Sequence, residues 1–255
     1  MNKIIKYILL DILRNKIVIG YTALLALISF SVFNLEDNAS KGILTLLNII
    51  SIILPMFSIV FSTIYLYNAG EFIELLISQP LKRRQIWLSL YAGLATSLCL
   101  AYFIGCGIPL LLYSSGNTGM TVLAMGLLTT LIFIAIAFMA TVYTRDKARG
   151  IGAAILLWLY FTLIFDGLVL FLMFQLMDYP LEVPMIIASL LNPIDLSRIV
   201  ILLQLDISVL MGATSAVFKD FLGTNWGIAC ALATLLTWAF LPLWLSNRKF
   251  NRKDL

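Results

Sequence analysis

Glu71, Glu74 and Ser78 are spaced by three and four residues, so a helix gathers them on one face while Ile73, Leu76 and Ile77 gather on another. Pro80 ends that helix, and Lys82, Arg83 and Arg84 follow as a basic turn. By periodicity alone the segment is either a solvated connection or a contact surface for a partner. Asp166 stands near the middle of an apolar run. A carboxylate in that setting turns toward a bundle interior or a wet cavity, where it serves a translocation path or bonds a neighbouring helix. Met173 and Met177 lie one helical turn apart; paired thioethers suit Cu(I), but Met is also ordinary packing material, and no metal site is assigned. Cys99, Cys106 and Cys230 sit inside apolar stretches, where packing is the expected role and no disulfide framework is visible.

Several kinds of chemistry are excluded. The chain has no His, which removes His-ligated metal sites, a His haem ligand and any Ser-His or Cys-His nucleophile. No G-x-x-x-x-G-K-[ST] loop is present, so hydrolysis of ATP by that route is not expected, and H-E-x-x-H, G-x-S-x-G and zinc-spaced Cys pairs are missing too.

The elements that must carry these residues are membrane spans. Hydrophobic residues make up 62% of the 255 residues and charged residues 12%, with a mean hydropathy of +1.02. Soluble domains carry roughly a quarter charged residues. The expected fold is therefore an all-α polytopic membrane protein with six transmembrane helices, forming one transmembrane domain over residues 1–255. Ile4, Ile8 and Ile12 recur every four residues, which predicts an amphipathic interfacial helix over residues 1–16 rather than a cleaved signal peptide. Spans one and two occupy 17–67, the loop with Glu71 and Glu74 occupies 68–85, and spans three to five occupy 86–177. An outer region follows over 178–225, then span six over 226–245 and a basic tail over 246–255. Gly223 and Gly227 give a weak G-x-x-x-G spacing at the start of that span.

Charge placement tests this segmentation independently. Of the 17 Lys and Arg, all but Lys41, Arg198 and Lys219 fall at the termini and in the loops expected on the cytoplasmic side. The net charge of +4 thus reflects topology, with both termini cytoplasmic, and no nucleic-acid partner is expected. A seventh span over 199–218 would carry Gln204 and Asp206 in its middle and reverse the tail, so that region is expected to dip into the membrane without crossing. Within it, Asn192 reads as an N-cap, Pro193 as the first helical residue, Asp195 as a first-turn acid and Arg198 as its neighbour one turn on.

Glu74, Leu76, Pro80 and Arg83 match E-x-L-x-x-x-P-x-x-R, and the chain thereby resembles the ABC type-2 exporter permeases, whose cytoplasmic coupling helix carries that pattern. The six-span plan, the amphipathic N-terminal helix and the long outer region extend the resemblance over essentially the whole chain. Three segments narrow it: ELLISQP at 74–80, Phe165-Asp166-Gly167, and Leu191 to Arg198. These are most similar to permeases that serve maturation of nitrous oxide reductase. The resemblance implies two permease copies in a bacterial inner membrane, working with a separately encoded ATPase that binds the ATP, and no cofactor in this chain. It implies an ATPase-coupling role for Glu71, Glu74, Leu76, Gln79, Pro80, Arg83 and Arg84. Asp166 is the intramembrane polar site, and Asn192, Asp195 and Arg198 are the contact for a periplasmic maturation partner, with membrane lipid around the spans. An exporter of a drug, lipid or peptide, an ion-coupled transporter using Asp166, and an anchor for an outer protein are the competing readings.

Overall fold

The computed structural model describes residues 2–36, 38–114, 116–175, 182–205 and 224–252, and every regular element among them is helical. Met177, Asp206, Lys219, Gly223 and Lys253 lie outside the described residues. Six helices are long and apolar enough to span a membrane: α2 (Lys16–Leu35), α3 (Ala39–Asn68), α5 (Arg83–Tyr113), α6 (Asn117–Tyr143), α7 (Lys147–Gln175) and α10, whose spanning part is Trp226–Asn251. At about 1.5 Å per residue each clears a hydrocarbon core of about 30 Å. The shorter helices are α1 (Asn2–Leu13), α4 (Gly70–Ile77), α8 (Glu182–Leu191) and α9 (Pro193–Gln204).

Polar residues between the spans act as caps. Asn15 accepts from the Ile17 N–H at 2.9 Å, Asp146 from Arg149 at 3.0 Å and Thr224 from Gly227 at 3.1 Å, each satisfying an N-terminal amide that the helix itself leaves open. Asp146 starts α7 inside the basic loop, and α10 runs on past Leu245 to Asn251, so most of the expected tail is helical. Helix α3 continues through Pro55 without interruption.

Helix α6 is the centre of the bundle, with 67% of its apolar stretch buried and α3, α5, α9 and α10 packed around it. Helix α7 is the opposite case, with 11% buried, and it leans mainly on α3. Helix α1 lies on α5 through Ile8 and Ile12, both fully buried. Gly93 makes that approach feasible, since a Cβ there would stand 2.6 Å from Ile8 Cγ2.

Two spans contain a π-helical segment, Phe103–Gly107 in α5 and Tyr160–Ile164 in α7. In the second, the Phe165 N–H reaches the Tyr160 carbonyl, five residues back. Helices α8 and α9 meet at Asn192 with a bend of 114°. With 10 and 12 residues, neither is long enough to cross a bilayer alone, and most of the 199–218 stretch expected to dip lies outside the described residues.

Candidate functional site

The residues singled out in the sequence fall at two ends of the bundle. At the basic end, α4 sits beneath the spans with Ile73 and Leu76 each 7% exposed, sunk into the core. Glu71, Glu74, Gln79, Pro80 and Arg84 are exposed, and Arg83 is half-buried with contacts of its own. Leu76 is therefore sunk beneath the exposed carboxylate face of α4. This split follows from periodicity, because three- and four-residue steps place Ile73, Leu76 and Ile77 together on the turn away from the carboxylates.

Ring contacts and hydrogen bonds join the helices around α4. Phe72 stacks on Tyr7 of α1, ring centroids 5.5 Å apart. Trp87 at the start of α5 stacks on Phe250 of α10 at 4.2 Å and meets Phe138 of α6 edge-on at 4.8 Å. Its indole N–H donates to Ser246 Oγ at 2.9 Å, and Ser246 donates onward to the Phe138 carbonyl at 2.8 Å. The Tyr67 hydroxyl donates to the Thr144 carbonyl at 3.1 Å, and Lys147 Nζ donates to Asn68 Oδ1 at 2.7 Å, tying the end of α3 to the start of α7. Gly150 lies flat against Tyr67, where any Cβ would enter the ring. Between these groups is a cavity of about 210 Å³ lined by Glu74, Tyr67, Trp87, Arg145, Thr144 and Phe250 among others. Sequence reasoning missed Tyr67, Trp87, Arg145 and Phe250, because each comes from a different helix and no local spacing connects them.

At the opposite end the structure brings together residues that the sequence kept apart. Asp166 on α7 and Asp195 on α9 line one cavity of about 320 Å³ with Arg198, Ser189 and Met185. Their carboxyl groups are within hydrogen-bonding reach of each other. Asn192 is the expected N-cap of α9, its Oδ1 accepting from Ile194 at 3.0 Å. Its Nδ2 donates to Asp195 Oδ2 at 2.8 Å and to the Phe161 carbonyl, inside the π segment of α7, at 2.8 Å. Asn192 is fully buried, which corrects its expected place in an exposed partner contact: its amide holds the bend of α8 and α9 against α7. Burial, then the Asp166 carboxyl, push Asp195, which lies outside the six spans, up to about 7, while Asn192 and Arg198 pull the other way. Arg198 Nε is buried without a hydrogen-bond partner. Met173 lies on α7 near this end.

The cysteines are free thiols: Cys106 is buried and accepts from Ser29 Oγ at 3.2 Å, Cys99 is half-buried, and Cys230 lies on the outer surface of the bundle.

A bundle of six spans with an apolar-anchored, charge-faced helix at one end is the plan of an ABC exporter permease. The family model described as "ABC-2 family transporter protein" matches residues 3–255, and the chain belongs to that family. It is the permease subunit of an ABC transporter, and membership implies a partner ATPase subunit. Among curated proteins it is similar to the "Probable ABC transporter permease protein NosY" of Stutzerimonas stutzeri, 28% identical with 95% of each chain covered. It is also similar to the protein of the same name from Pseudomonas aeruginosa strain PAO1, 26% identical with 97% of this chain and 96% of the relative covered.

Proposed function

We propose that the partner ATPase drives this permease through the exposed face of α4 and the turn that follows it, where Glu71 and Glu74 of the helix, Gln79 and Pro80 of the turn and Arg84 at the start of α5 meet the ATPase and Arg83 holds the turn. The observation that carries this reading is the split of α4, with its carboxylates in solvent and Ile73 and Leu76 locked into the bundle. A displacement of such a helix passes into α3 and α5 through this buried apolar anchor. The ATPase binds the ATP, and this chain uses no cofactor and catalyses no reaction of its own. In this reading the end that carries α4 and both termini face the cytoplasm and the spans lie in a bacterial inner membrane, an orientation supported by the loop charges.

Two copies form the transporter in this reading. Helix α7 supports it by its 11% burial and by Leu156, Leu163, Phe171 and Phe174, 62% to 74% exposed, which leave a long apolar face for a second chain or lipid. The cargo is a copper- or sulfur-related species exported for maturation of nitrous oxide reductase, supported by the ELLISQP segment and the names of the relatives. Asp195 and Arg198, half-buried beside the outer cavity, are then the groups nearest a periplasmic maturation partner.

The deciding experiment pairs Glu74→Ala with Arg83→Ala. A charge interaction at such a surface contributes about 0 to 1 kcal/mol, so the double variant should fold and insert as wild type. Copurified ATPase or transport per ATP should fall. Wild-type values for association, ATP turnover and transport would reduce α4 to a solvated connection.

A further inference from the structure

We propose that Asp166 and Asp195 form a one-proton site that latches the outer half of α7 to α9 beside the outer cavity. Neither residue's local sequence implies the other; the bend at Asn192 and the π segment of α7 bring them together. An ionised carboxylate only accepts hydrogen bonds, so two carboxyls in hydrogen-bonding reach bond only when one carries a proton. Asn192 fixes the acceptor side of Asp195 by donating to Oδ2 at 2.8 Å, and the same amide holds Phe161 of α7 at 2.8 Å. The pair is thus oriented from both helices.

Loss of the proton leaves two negative charges facing each other in a half-buried site, which separates them. The ionisable groups lining the cavity are Asp166 from α7 and Asp195 and Arg198 from α9, while α8 contributes Ser189 and Met185. From α6, Thr129 faces Ser197, and from α10, Trp238 donates to the Leu190 carbonyl; neither titrates. Arg198 balances one carboxylate, not two.

Helix α7 is built to respond. Below Asp166, Phe161 packs edge-on against Phe133 and Trp238, with centroids 6.0 and 5.5 Å apart. Above it, Leu168, Leu170, Phe171, Leu172 and Phe174 are all exposed, so Asp166 is the outermost polar tie described on this helix. The π segment Tyr160–Ile164 carries Phe161 and ends one residue before the buried Phe165, next to the tie, where a widened turn makes a hinge. The ligand of the site is a proton, and the outer half of α7 is what it holds. This inference stands on the fold alone, and its failure would leave the ATPase contact at the other end untouched.

The test measures distance between spin labels at Phe171 and Leu191, 62% and 56% exposed, in the full-length permease in lipid nanodiscs with the native cysteines replaced. Between about pH 5 and about pH 9, a range spanning ordinary and raised carboxyl values, the distance should lengthen. Its midpoint should lie near the value of about 7 given for Asp195. Asp195→Asn and Asp166→Asn each keep a donor and remove the shared titration, so both should hold the short distance throughout. Infrared spectra of the unlabelled protein should show a protonated-carboxyl band that disappears over the same range and is missing in Asp195→Asn. A wild-type distance that ignores pH, or a pH response that survives in both Asn variants, overturns the proposal; should one variant fail to fold, the other and the infrared titration of wild type still decide it.

Discussion

The two ends of this permease sort charge in opposite ways. At the basic end the carboxylates of α4 face water and aromatic rings fill the interior, so no ionisable group must change state for the helix to bear load. At the other end two carboxyls and a guanidinium line an internal cavity, and only an amide and a shared proton hold them in place. Insertion scales put a carboxylate at mid-bilayer at roughly 2.5 to 3.5 kcal/mol, a cost that neutralisation by a proton largely removes. The difference teaches a division of labour: a contact that transmits force is best made from packing, and one that must change state is best made from buried acid.

The comparison depends first on which end faces outward, and that outcome is all-or-none. A cysteine at Arg252, beside the aromatic platform, should be shielded from an impermeant thiol reagent in intact cells, and one at Asn117 should react; both positions are exposed. The reverse labelling would exchange the two ends.

Next in size is Asn192→Ala. It removes a cap and leaves the Phe161 carbonyl and the Ile194 N–H without their partners in a buried site, which should cost about 3 kcal/mol. Thermal unfolding in detergent measures this, and a loss below about 1 kcal/mol would mean that the outer end is held by packing after all. Gly150→Val tests the basic end by forcing a side chain into the Tyr67 ring, for a loss of about 1 to 3 kcal/mol and weaker ATPase association. Adding Tyr67→Ala should relieve the clash; a double variant as unstable as Gly150→Val would show that the two residues do not meet.

The smallest effect is the pH dependence of stability. The folded Asp195 binds its proton more tightly than the unfolded chain does, so its stabilising contribution is complete below the ordinary carboxylate range. It declines as pH rises from there to about 7. Denaturation midpoints of wild type and Asp195→Asn, compared across that window, should converge or cross as wild type loses the advantage. Parallel curves would place the pair in an ordinary solvated setting.

Much of the fold is written in local pattern. Hydropathy and the distribution of Lys and Arg mark the six spans, the four-residue recurrence of Ile4, Ile8 and Ile12 marks α1, and Asn192 with Pro193 marks the start of α9. The exposed carboxylate face of α4 is legible for the same reason, since Glu71 and Glu74 are neighbours in sequence. The meeting of Asp166 with Asp195 is not, because periodicity fixes which face a residue occupies and says nothing about the helix across from it. The Tyr67, Trp87, Arg145 and Phe250 surround of α4 is hidden in the same way. The π segments leave no trace in hydropathy either, as Tyr160 to Ile164 are as apolar as their flanks.

Those five residues in α7 also set the aim of everything beyond them. A widened turn is equivalent to one additional residue in a regular helix, and a residue subtends about 100°. Wound as regular α-turns, the same residues would swing Asp166, Val169 and Leu170 away from the cavity they line, whereas the widened turn absorbs one additional position and keeps them facing it. The direction in which the outer third of this span looks is therefore encoded as a count, not as a composition. A single-codon deletion within the segment would be absorbed by closing the turn, whereas one in the regular helix before it would redirect the same side chains by about 100°.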